Sequence, residues 1–145
     1  MNNNRRARLS ICSSNLDILK VSAERIKDSI NTLSDLKKEL DFWSSYVNKI
    51  ASSLEDIEKE EQDALDSIPE SFQMGDIASS IEDALFSLSG AKEDTNALKD
   101  LIDKVEDTYI KSFLPGFNPE NTLEELDNFI EGIEAAKENI AEAKE

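Results

Sequence analysis

The chain has 145 residues, 33% charged and 39% hydrophobic, with four glycines, three prolines, one cysteine, no histidine and a formal net charge of −16. That length suits one domain, and so much charge with so little glycine suits long amphipathic helices better than a compact mixed fold. Without histidine, acid–base triads built on imidazole are excluded, and one cysteine rules out a Cys/His zinc site and an intramolecular disulfide.

The first 68 residues contain neither Gly nor Pro. Leu9, Cys12, Leu16, Leu19, Ala23, Ile26, Ile30 and Leu33 advance by alternating steps of three and four, and Leu36, Leu40, Trp43, Val47, Ile50, Leu54 and Ile57 resume the alternation. Such spacing is a helical seam, coiled-coil-like in period. Between the two runs, Ile30, Leu33 and Leu36 are separated by two consecutive threes, a stammer at which the stripe slips. Two outcomes follow. A continuous helix over about residues 5–67 would be a rod of roughly 90 Å. Its early stripe, Leu9, Cys12, Leu16, Leu19, Ile26 and Ile30, would then be left for a second copy or a partner to bury. Alternatively the helix folds back near residues 31–35. Burial by a second chain is the preferred outcome.

The stretch EKEEQDALDSIPESFQ, Glu58–Gln73, ends this run, because Pro69 disfavours helical geometry at Ile68, Gly75 tolerates positive φ and Asp76 suits a helix cap. A turn is expected over 68–76. A second helix over 77–112 follows, with Ile77, Ala84, Ala91, Leu98 and Val105 interleaved with Ile81, Leu88, Thr95, Ile102 and Tyr109. Gly90 keeps the phase and reads as a tolerated glycine. The loop at 113–121, with Pro115, Gly116 and Pro119, closes that helix. Thr122 and Glu125 have the form of a capping box for a third helix over 122–144, striped by Leu123, Leu126, Ile130, Ile133, Ala136, Ile140 and Ala143. Phe113, Phe117 and Phe129 are expected to seal the turn end. The fold is therefore all-α: a long antiparallel helical hairpin extended to a three-helix bundle within one elongated domain, or four helices if the first folds back.

Charge is unevenly placed. Residues 1–49 hold nine Lys or Arg against six Asp or Glu, whereas residues 50–145 hold seven against 26. Such an acidic body repels nucleic acid and anionic membrane and attracts basic protein surfaces. Glu55, Asp56, Glu58, Glu60, Glu61, Asp63 and Asp66 put seven acids on twelve residues with only Lys59 against them. A helical ridge of carboxylates resembles the fixed negative array of a nucleic-acid backbone, and it would fit a basic groove. Arg5, Arg6 and Arg8 would contact an anion or solubilise the terminus.

Chemistry is not expected. No phosphate-binding glycine pattern occurs, and the acidic turn lacks the alternating order of a calcium loop. No catalytic, cofactor-binding or metal-binding residue is assigned. No apolar segment approaches the ~18 residues of a membrane span, and the amino-terminal residues lack the apolar run of a signal peptide. A soluble, cytoplasmic protein is expected.

Within this stretch Glu60, Glu61, Gln62, Ala64, Asp66, Ile68, Pro69 and Glu70 resemble the [DE]-E-E-Q-x-A-x-D-x-[LI]-P-E-x-[LF]-Q core of small acidic helical proteins from phages and prophages of low-GC bacteria. Arg5, Arg6, Arg8 and Leu9 match the basic start of that group, and Ile81 to Leu88 continues the match, which covers about half the chain. The chain departs from the group by about 30 extra residues in the first helix and by the helix after Phe117. The group carries no assigned chemistry. What the resemblance implies is a context in which small acidic proteins, anti-CRISPR inhibitors among them, attach to a host protein with a basic surface, in the host cytoplasm. The leading expectation is such a non-enzymatic inhibitor, working through the acidic ridge or the uncovered stripe. The alternative is a structural coiled-coil scaffold that self-associates as a homodimer; contact with DNA through Arg5–Arg25 ranks third.

Overall fold

The computed structural model describes residues 1–28, 33–72, 75–111 and 120–145, with residues 33–35 described by their backbone alone. Four α-helices account for nearly all of them: α1 (Asn3–Asp28), α2 (Leu33–Asp66), α3 (Asp76–Lys111) and α4 (Glu120–Lys144), with a 3-10 turn at Glu70–Phe72 between α2 and α3. Each helix packs against two others in the cyclic order α1, α2, α3, α4 and back to α1. Ties of Arg5 to Glu61 and Lys27 to Asp127, the placing of Asp63 near Leu85 but Asn48 near Lys99, and the placing of Gly90 near Asn139 but Leu98 near Gly132 set every neighbouring pair antiparallel. The fold is an up-down-up-down four-helix bundle.

The expected continuous helix over 5–67 is thus replaced by two helices, and the fold-back is the outcome adopted. The stammer is where it happens: α1 ends at Asp28 and α2 begins at Leu33, so the phase slip marks a reversal of the chain. The energetic reason lies in the stripe that the long rod would have left bare. Leu9, Cys12, Leu16, Leu19, Ala23 and Ile26 are all buried within the chain's own core, alongside Leu36, Trp43, Val47, Ile50 and Leu54 of α2 and Ile133, Ala136 and Ile140 of α4. Burying a Leu or Ile side chain is worth about 1.5–3 kcal/mol, so an intrachain partner for the stripe outweighs the entropy of closing a short connection. Ile30, the remaining stripe residue, lies outside the described residues, as do Phe113 and Phe117.

Aromatic packing ties the bundle across its diagonal. Trp43 of α2 stacks on Phe129 of α4 with centroids 4.9 Å apart and planes at 15°. Its indole Nε1 donates to Ser22 Oγ at 2.7 Å, and that hydroxyl donates to Glu39 Oε2 at 2.7 Å. A buried polar chain therefore fixes the α1–α2 register, with each donor given a partner, as buried polar groups require. Phe129 is part of this core stack.

Smaller departures have local causes. Ile77, expected on the α3 seam, is 75% exposed, because the buried line runs through Ala78, Ile81, Ala84 and Leu88. Thr122 is not the cap of α4, since the helix already starts at Glu120; its hydroxyl is buried in the first turn and finds no partner among the described residues. Asp76 is the first residue of α3, while the Gly75 carbonyl accepts from the Ser79 amide; the carboxylate still sits at the positive end of the helix dipole. Gly90 and Gly132 are more than tolerated. They let α3 and α4 approach so closely that a Cβ would lie 3.0 Å from Asn139 Nδ2 and 2.8 Å from Leu98 Cδ2, respectively.

Candidate interaction surface

The acidic ridge is divided by the fold into structural and exposed members. Glu61 follows Ile57 by four residues and so continues the α2 seam inward; its side chain has 0% exposure. Arg5 precedes Leu9 by four and continues the α1 seam, and its Nε donates to Glu61 Oε1 at 2.5 Å. Glu60 accepts from Arg8, whose guanidinium holds the Glu60 carboxyl below the usual carboxylate range, while the carboxylate holds the Arg8 proton more tightly still. Glu58 accepts from Lys92 of α3 at 2.8 Å, which raises the Lys92 pKa. Three of the seven ridge acids therefore join helices. Glu55, Asp56, Asp63 and Asp66 remain exposed.

The same accounting explains the basic amino-terminal part. α1 carries six cations and three acids, and it lies between α2, with four cations and ten acids, and α4, with two and eight. Each of the six reaches an acceptor on a neighbouring helix. Arg5, Arg8 and Arg25 reach Glu61, Glu60 and Glu39 of α2; Lys20 and Lys27 reach Glu134 and Asp127 of α4; Arg6 Nε donates to the Lys144 carbonyl at 3.0 Å. From the other side, Lys137 reaches Asp17 at 2.5 Å. α1 is thus the internal counter-ion of two acidic helices, and Arg5–Arg25 are engaged by the chain itself and do not form a bare basic patch.

α1 absorbs only some acids of α2 and α4, and exposed carboxylates remain on α2, α3 and α4. Glu55 and Asp63 border a groove of about 500 Å³ between α2 and α3, with Leu85 at its wall and Lys59 beside it. Beyond that groove the outer face of α3 presents Glu82, Asp83 and Glu93 around Phe86, whose side chain is exposed among them. A second cleft, about 370 Å³, lies at the bundle end between the start of α3 and the close of α4, where Asp76, Asp83, Glu142 and Glu145 gather beside Met1. The α3 acids are spread along the helix in the residue order and become one face only when the helix forms.

Among the described residues, no group of three or more His, Cys, Asp or Glu is arranged to hold a metal ion. No helix formed by them is long and apolar enough to cross a membrane. Cys12 is buried, and burial raises its thiol pKa despite opposing effects from Ser53 and Arg8. Comparison with known proteins finds no matching family model, curated protein or solved structure.

Proposed function

We propose that the chain is a non-enzymatic binding protein whose acidic α2–α3 face docks on a basic surface of another protein, blocking a groove that otherwise takes nucleic acid. The observation that carries this reading is the segregation of charge: each cation of α1 is engaged by another helix of the chain, while Glu55 and Asp63 stand exposed at the α2–α3 groove and Glu82 and Glu93 on the outer face of α3 beyond it. Fixed carboxylates on rigid helices present a negative field with no reorganisation cost, which favours fast, salt-dependent capture of a basic partner. The resemblance of Glu60–Glu70 to acidic phage proteins supports a host defence protein, such as an RNA-guided nuclease, as the target. Burial of the Leu9–Ile26 stripe in the chain's own core favours the acidic face over that stripe as the docking surface.

The test is inhibition of target-DNA binding by a host RNA-guided nuclease. The wild-type chain should inhibit, Asp63→Lys with Glu82→Lys should lose inhibition, and about 0.5 M salt, where screening acts within roughly 4 Å, should weaken it. Undiminished inhibition by the double reversal, with the helical fold intact, would sink the acidic-face reading. Glu58, Glu60 and Glu61 are unsuitable for this purpose because reversing them breaks ties between helices.

A further inference from the structure

α1 carries a second seam, on the side away from the core. Ala7, Ile11, Ser14, Ile18, Val21 and Arg25 follow one another at steps of four, three, four, three and four. That alternation keeps a line of side chains facing one neighbouring helix along its length. Here the line meets solvent: Ile11 is 59% exposed, Ile18 42% and Val21 61%, with Ala7 and Ser14 also exposed. From Ala7 to Val21 the line holds no charge, although a third of the chain is charged. Phe42 of α2, 40% exposed, joins Ile18 and Val21 along a groove of about 330 Å³ between α1 and α2, and its ring leans on Tyr46 at 4.5 Å.

We propose that this seam pairs two copies of the chain through α1, with the two α1 helices antiparallel. Charge selects the occupant. A copy carrying −16 is repelled by α2, α3 and α4, each of which has more acids than cations. Only α1 has excess cations, and those are already bound to acids of their own chain, so its outer line is locally neutral and a second copy can approach there. The spacing selects the orientation. In an antiparallel pair Ile11 meets the partner's Val21, Ser14 meets the partner's Ile18 and Ala7 meets the partner's Arg25, so one two-fold axis near the level of Leu16 satisfies every layer. A line that is its own complement is what an isologous interface requires. Small Ser14 opposite branched Ile18 also lets the helices approach at the axis. This pairing uses the side of the bundle opposite α3 and does not depend on the acidic-face reading.

Sedimentation equilibrium of the full chain, from micromolar to about 0.5 mM, tests the proposal. A monomer–dimer equilibrium is expected, and Val21→Lys with Ile18→Lys should weaken it by roughly tenfold or more while leaving helicity unchanged, and leaving the melting temperature unchanged at concentrations too low for pairing. A spin label on Ala7→Cys then reads the orientation: antiparallel pairing sets the two label sites about 27 Å apart along the axis, whereas parallel pairing brings them side by side. A chain that stays monomeric throughout overturns the proposal, as it would if the seam served an unrelated protein. A dimer indifferent to the lysine substitutions, or labels in close proximity, also overturns it.

Discussion

Arg5 and Glu61 form an ion pair between the first turn of α1 and the last third of α2, with the Glu61 side chain wholly removed from solvent and the Arg5 side chain 14% exposed. Glu61 Oε1 accepts a hydrogen bond from Arg5 Nε–H, and the other carboxylate oxygen has no hydrogen-bond donor among the described residues. A buried pair of this kind adds little net stability, since desolvation offsets attraction, but removing one partner leaves a charge stranded. Arg5→Ala should therefore cost about 3 kcal/mol in urea unfolding, whereas Arg5→Leu with Glu61→Leu should cost far less or stabilise. A double-mutant cycle measures the difference directly; an Arg5→Ala loss under about 1 kcal/mol would mean the pair is effectively solvated.

Much of this was legible in the residues. Arg5 and Glu61 extend the two seams by one step each, but with residues 5–67 read as one helix those seam ends do not face each other, so Glu61 read as a member of the acidic ridge and Arg5 as a terminal cation. Helix existence, the Pro69 turn and most core positions followed from period and punctuation. The reversal between α1 and α2 was harder to read, because it has no Gly or Pro and only a slipped phase, which a coiled coil could also absorb by overwinding. The acidic ridge was half legible. Composition located the acids, but only the positions of Arg5, Arg8 and Lys92 in space separated structural carboxylates from exposed ones. The outer α1 seam was present in the spacing and was masked by the stronger inner one.

Intrachain burial of the first stripe has a consequence that distinguishes it from burial between chains. Leu16 is fully buried and lies in the common core, so Leu16→Ala should destabilise by about 2–5 kcal/mol. The loss should not depend on protein concentration. Trp43, the sole tryptophan, has no solvent exposure, and its emission should shift red in the same transition that abolishes helicity. A loss that shrinks as concentration rises would place the stripe between copies.

Close approach of α3 and α4 at Gly132 sets two effects against each other. Alanine gains about 1 kcal/mol of helix propensity over glycine, but its Cβ would meet Leu98 Cδ2 at 2.8 Å, and Leu98 is fully buried with little room to move. Overpacking of this kind costs about 1–3 kcal/mol, so Gly132→Ala should be destabilising by about 1 kcal/mol net. Gain of stability in chemical denaturation would show that Leu98 can rotate away.

Acid should act on the bundle through two opposed effects. Lys20 holds the Glu134 carboxyl below its ordinary range, with Lys137 assisting, and Arg8 does the same for Glu60. A depressed folded-state pKa gives stability that is present above the unfolded value and lost as pH falls through the folded one, so these ties weaken below about pH 4. Meanwhile protonating other carboxylates relieves the repulsion of a −16 chain, which favours the folded state on the way down from neutrality. The melting temperature should therefore hold or rise from pH 7 to about 5 and fall below 4. Glu134→Gln separates the two effects. Its carboxylate is 48% exposed, so the variant should lose at most about 0.5 kcal/mol at pH 7, and the difference from wild type should shrink as the pH falls and the wild-type carboxyl takes up its proton. Added salt at pH 7 should raise the melting temperature of both proteins, because screening removes more repulsion among the exposed acids than it takes from the interhelical pairs. A melting temperature that falls with salt would mean that those pairs, and not the surplus of acid, dominate the electrostatics of the fold.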